Sequence, residues 1–215
     1  LMNKSTNKLP KGVEKQKGFR LTIDWDRKPS LTDTKFGGTP YWDGSKEYPK
    51  SANGDKLYLL AQINLEDTKD FLSLLPNTGL LQFFIADDDY YGMDFDHMNN
   101  QQGYRVIYHH NVQNVTMDML TSYGVPTTQP QQFPVGGELA VKVTPTEFTR
   151  YLRQGESDDE SSDEVREMYD DQSGHSLFGF PYFTQEDPRP FSEEYRKYDR
   201  LLFKMDSDFF EGNQG

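Results

Sequence analysis

Leu57-Tyr58-Leu59-Leu60-Ala61-Gln62-Ile63-Asn64-Leu65 is the stretch whose reading decides the fold. Side chains of an extended chain alternate between two faces. Leu57, Leu59, Ala61, Ile63 and Leu65 therefore fall on one side, and Tyr58, Leu60, Gln62 and Asn64 on the other. One face is apolar and the second partly polar, which is the pattern of a central strand. Upstream, Phe19, Leu21, Ile23 and Trp25 alternate with polar residues until Pro29, while residues 1–18 read as a loop or frayed tail. Downstream, Leu80 to Ala86, Tyr104 to His109 and Leu139 to Val143 read as further strands, and the proline-rich segment from Thr121 to Pro134 as loop. Short helices are predicted over Glu66 to Leu75, stopped by Pro76, and from Phe148 to Leu152. Residues 155–164 form a solvated acidic run leading into a helix at Val165, Met168 and Tyr169. Strands outnumber helices, and few connections suit parallel crossovers. The expected fold class is α+β, with mostly antiparallel β-sheet and short helices.

The chain also repeats itself. Phe36-Gly37-Gly38-Thr39-Pro40-Tyr41-Trp42 recurs loosely as Leu177-Phe178-Gly179-Phe180-Pro181-Tyr182-Phe183. At nearly the same offset, Leu59 to Asn64 recurs as Leu201 to Asp206. Two motifs in one order indicate an internal duplication. Repeat one spans about 19–143 and repeat two about 175–215, within a single domain over 1–215. The second copy stops before any counterpart of Leu80 to Ala86, so it is expected to be incomplete at its C-terminal end.

These motifs resemble the bacterial YwqG family, a family known only as a domain of unknown function. The resemblance rests on Lys35 to Trp42, Leu57 to Leu65, Gly79 to Ile85, Gly103 to Tyr108, Gly174 to Pro181 and Leu201 to Asp208. It implies a duplicated α+β fold and a further C-terminal strand beyond Asp208. Some members are associated with secreted toxin systems, which implies an immunity-type role.

Composition narrows the function. With 215 residues and 14% aromatic side chains, the chain can bury a core of large flat rings although only 34% of it is hydrophobic. A net charge of -12 argues against nucleic-acid and membrane partners and permits a basic protein partner. There is no cysteine, which excludes disulfides and thiolate chemistry and suits a reducing, cytoplasmic setting.

No catalytic residue, cofactor or metal site is expected. Gly37-Gly38-Thr39-Pro40 lacks the lysine and following helix of a phosphate cradle, so Gly37, Gly38 and Pro40, with Gly179 and Pro181, read as structural turns. Asp87, Asp88, Asp89, Asp94 and Asp96 miss calcium-loop spacing, since Tyr91 and Met98 occupy ligand positions. The four histidines, His97, His109, His110 and His175, show no ligand spacing, and no serine sits in a nucleophile elbow. Two functional readings follow. The first is a non-enzymatic protein-binding domain, of the immunity type, directed at a basic toxin. The alternative is a small-molecule or metal-binding domain. Its cleft would lie between the repeats and be lined by Gln62, Asn64, Lys204 and Asp206.

Overall fold

The computed structural model describes residues 13–151, 173–183 and 187–207. The strands are β1 (Val13–Ile23), β2 (Lys35–Phe36), β3 (Tyr58–Asn64), β4 (Leu80–Ile85), β5 (Tyr104–His109), β6 (Leu139–Tyr151), β7 (His175–Phe178) and β8 (Phe203–Lys204). Helix is confined, among the described residues, to α1 (Met117–Ser122) and two single 3-10 turns, Leu65–Thr68 and Arg189–Phe191. The α+β expectation is therefore corrected: the chain is nearly all β, with antiparallel pairing.

Both predicted helices fail for identifiable reasons. The Leu65–Thr68 turn ends after one cycle because its C-cap Lys69 is extended (φ -60°, ψ 155°) and Asp70 follows at a left-handed φ of 64°, well before Pro76. Phe148 to Tyr151 instead prolongs β6, whose Val141, Val143, Thr144, Thr146 and Thr149 are β-branched and pack well on a pleated surface. At the other end of the chain, β1 begins at Val13, inside the segment read as a loop or frayed tail. The acidic run at 155–164 and its following helix lie outside the described residues.

The chain divides into two compact units, Thr22–Val143 and the pair Leu1–Leu21 with Thr144–Gly215. In the terminal unit, β7 lies between β1 and β8, antiparallel to both. There the Arg150 guanidinium pairs with Glu14 and lies 4.6 Å from the centre of the Phe180 ring.

In the central unit the strand order is β5-β4-β3-β2-β6. A bulge interrupts the β3–β4 register between Leu59 and Ala61. Leu59 lies opposite Phe84 while Gln62 lies opposite Gln82, so Leu59 shares a face with Gln62 and not with Ala61 and Ile63. The extra residue resets the simple alternation. Leu57 and Leu59 thereby join Trp42, Tyr48, Phe84, Leu120 and Val125 in one cluster. α1 is too short to persist alone. The Thr116 hydroxyl caps it by accepting from the Met119 N–H, and Leu120 anchors it in that cluster.

Two glycines set the turn after β2. Gly37 and Gly38 have φ of +63° and +75°, and a Cβ on Gly37 would lie 2.2 Å from the Gly137 carbonyl oxygen. Gly37→Ala is expected to cost at least about 2 kcal/mol, from positive φ plus the clash. Gly54→Ala, also at positive φ but with nothing within 4 Å, isolates the backbone contribution at about 1 kcal/mol. Parallel urea melts measure the difference.

Candidate functional site

Sheet register lines up three polar side chains on one face of the central unit. Lys35 lies opposite Gln62, and Gln62 opposite Gln82. All three are fully buried. Buried polar groups cost free energy unless hydrogen-bonded, and here every one is. The Gln62 amide donates to the carbonyls of Leu31 (2.9 Å) and Asp33 (3.0 Å), and its oxygen accepts from the Tyr41 N–H. Gln82 donates to Gln62 Oε1 (2.8 Å) and to the Tyr41 carbonyl (2.9 Å). Since the Gln82 nitrogen is occupied in donating, its oxygen accepts, and His109 donates Nε2–H to it at 2.9 Å. At the other end, Lys35 Nζ bonds Glu138 (2.7 Å) and the carbonyls of Thr39 and Ser30. Burial pushes the Lys35 ammonium below the usual lysine range, and Glu138 opposes that shift. The row thus straps both flanks of β2, residues 30–33 and 39–41, onto the sheet.

His109 closes the row beneath the edges of the Tyr41 and Trp42 rings. Burial lowers its pKa; Asp43 opposes the shift and Lys46 adds to it. The unfolded chain therefore takes up this proton first, near pH 6.5. Stability is expected to fall as pH drops through that value and to level off below the folded-state pKa. Thermal melts between pH 7.5 and 5.5 measure this slope, which His109→Gln should flatten.

The loop between β4 and β5 has the opposite character. Tyr90, Tyr91, Met93, Phe95 and Met98 are all exposed, Phe95 by 64%, and Tyr90 meets Phe95 edge to face at 5.2 Å. Asp87, Asp88, Asp89, Asp94 and Asp96 are interleaved with them. Asp88 accepts from the N–H groups of Tyr90 and Gly92, and Asp94 from those of Asp96 and His97, which folds the loop into successive side-chain-capped turns. Gly92 and Gly103 touch backbone to backbone, leaving no room for a Cβ at the loop's neck. Between this loop and residues 51–56 lies a groove of about 860 Å³. Among the described residues, no group of three or more His, Asp or Glu side chains is arranged to hold a metal.

A model of the family described as "Domain of unknown function (DUF1963)" matches residues 34–214. The chain belongs to that family. No curated protein matches it, and no described helix is long and apolar enough to cross a membrane.

The residues singled out from sequence divide between the units of this DUF1963 chain. Gln62 belongs to the buried row. Asn64 caps the Leu65–Thr68 turn, accepting from the Glu66 N–H and donating to the Thr32 carbonyl. In the terminal unit, Asp206 accepts from the Gly174 and Ser207 N–H groups, while its own N–H donates to His175 Nδ1. Burial would raise the Asp206 pKa, but those N–H bonds and nearby Lys204 hold it below the usual carboxylate range. Lys204 is half-buried, and burial lowers its pKa against the pull of Asp206. The turn residues also have defined surroundings. Pro40 is buried ahead of Tyr41, whose N–H and carbonyl bond the two glutamines. Gly38 N–H reaches the Gln129 amide oxygen once that amide is oriented by its neighbours. Gly179 has φ of +85° and backs onto the Phe148 ring, with Pro181 two residues on.

Sequence reading missed Lys35 and Gln82 as cross-strand neighbours of Gln62, and His109 as the partner of Gln82. A glutamine inside the apolar run Leu80 to Ala86 was the available signal, since a polar side chain there must find a buried partner. It also read the acids of 87–96 without the exposed aromatics between them.

Proposed function

We propose that this chain is a non-enzymatic binding protein whose β4–β5 loop engages a basic protein partner, in the manner of an immunity-type protein that neutralises a toxin. The observation that carries the reading is the exposed cluster of Tyr90, Tyr91, Met93, Phe95 and Met98, set among five aspartates beside the 860 Å³ groove. Contiguous exposed apolar surface marks interaction sites. Aromatic and methionine side chains are enriched at such interfaces. The aspartates select the partner's charge, and the net charge of -12 accelerates its approach. The YwqG resemblance and the lack of cysteine fit such a protein working in the cytoplasm of a bacterium.

The test is an amide-shift titration with a lysine-rich peptide that carries aromatic residues. Shifts are expected at 87–103 and 51–56, weakening as salt rises and disappearing with Phe95→Ser. Shifts spread over all surface acids, or binding unchanged by Phe95→Ser, would overturn the reading.

A second reading places a small ligand beside Asn64 within the central unit, apart from Gln62, whose buried amide is already bonded to the Leu31 and Asp33 carbonyls. One observation favours it in the central unit: Asn64 lines a polar depression of about 370 Å³ with Arg27, Asp33, Asp67 and Lys142. Stabilisation of the full chain by a small anionic or cationic metabolite, lost in Asn64→Ala with Lys142→Ala, would support it. Equal stabilisation of wild type and variant would remove it.

A further inference from the structure

Among the described residues β5 is the last strand of the sheet on its side, and its edge has the features of a docking strand. Six consecutive residues pair with β4 without a bulge. The phase of the ladder follows from one bond: the Ala86 N–H donates to the Gly103 carbonyl at 2.8 Å. In an antiparallel pair, hydrogen-bonded positions recur every second residue. Arg105, Ile107 and His109 therefore direct their backbone groups at β4, while Tyr104, Val106 and Tyr108 direct theirs away from it. The Leu65 N–H bond to the Gly79 carbonyl agrees, since odd residues of that segment face β3. The Tyr104 carbonyl is taken by its neighbour's guanidinium at 2.7 Å. The outward N–H and C=O groups of Val106 and Tyr108 have no partner among the described residues.

Exposed edges are usually guarded by proline, a bulge or an outstretched charge. β5 has no proline and no bulge. Its only charged residue, Arg105, is tied back to the carbonyls of Tyr104 and Lys50. Tyr104, Val106 and Tyr108 share one face, and Val106 is 39% exposed. Aromatic and β-branched side chains on one face are the pairing surface an added strand would use.

At its Tyr104 end this edge runs directly into the acidic β4–β5 loop, and the Tyr104 hydroxyl donates to the Met98 carbonyl. We propose that β5 is a docking edge for an extended, basic segment of the partner. That segment adds as a strand alongside Val106 and Tyr108 and lays its cationic side chains on Asp87 to Asp96. This rests on the reading of the loop as a binding surface and adds the mode of recognition: main-chain bonds supply affinity, and the loop supplies charge selection. A second copy of the chain is disfavoured as occupant because both copies carry -12.

The probe is a fluorescent peptide of alternating lysine and valine, compared with the same peptide N-methylated on alternate residues. N-methylation keeps the charge and removes the edge-facing donors. The full chain is expected to bind the first peptide at least about tenfold more tightly than the second. Val106→Pro, whose lost N–H points away from β4, is expected to abolish that difference with the fold retained by circular dichroism. Equal binding of both peptides, sensitive to Phe95→Ser, would overturn the edge and leave the loop reading intact. Equal binding insensitive to Phe95→Ser would overturn both. Self-association of the wild type that Val106→Pro removes, with no peptide binding, would assign the edge to a second copy and also overturn the proposal.

Discussion

Lys35→Ala is expected to remove about 3–5 kcal/mol of folding stability, the range for breaking one partner of a buried ion pair. The lysine is inaccessible to solvent, whereas Glu138 keeps 28% of its side chain exposed. Truncation therefore leaves a carboxylate that water can partly reach, together with the Thr39 and Ser30 carbonyls, which lose their donor. It also opens a cavity where the aliphatic stem packed. Urea unfolding with unchanged slope and a lower midpoint measures the loss. Lys35→Met, which refills the stem's volume without supplying a donor, should recover the packing part only. A loss below about 1 kcal/mol for the alanine variant would mean that the ammonium is hydrated in solution rather than bonded as described.

Gln82→Leu is expected to cost about 3 kcal/mol. It strands two buried groups, the Tyr41 carbonyl and the His109 Nε2–H, each worth roughly 1–3 kcal/mol when unsatisfied. Gln62 is spared, because its oxygen still accepts from the Tyr41 N–H. Adding His109→Leu removes one stranded donor. The double variant should therefore be more stable than the sum of the single losses predicts, by about 1 kcal/mol or more. Additive losses would show that the two side chains are not coupled through this bond. The same variants bear on the candidate binding surface, because β4 and β5 carry the loop between them. If Gln82→Leu leaves amide shifts at 87–103 unchanged, the loop holds its shape through its own aspartate-capped turns.

How much was legible depended on how local each signal is. The alternation in Leu57 to Leu65, Leu80 to Ala86 and Tyr104 to His109 marks strands because period-two patterning acts within a few residues. Gly37-Gly38-Pro40 marks a turn for the same reason. The helix assignments at Glu66 to Leu75 and Phe148 to Leu152 failed because weak intrinsic propensity yields to tertiary context. In the first case the chain leaves the helical region at Lys69, which is extended, and continues through a left-handed Asp70. In the second, thirteen consecutive residues are held in β6.

The sequence by itself determined that the chain builds antiparallel strands around an aromatic core, lacks thiol chemistry and carries strong negative charge. Residue type and short spacing suffice for those statements. Only the tertiary structure decided which polar residues meet. Lys35, Gln62 and Gln82 are tens of residues apart and become neighbours solely through the register of β2, β3 and β4. A bulge of one residue at Leu60 decides which leucines share their face. Exposure is equally non-local. Phe95 and Phe84 have the same side chain, yet one is 64% exposed and the other buried against Trp42. Periodicity specifies which way a side chain points from its own strand; what it meets there depends on strands contributed by distant parts of the chain.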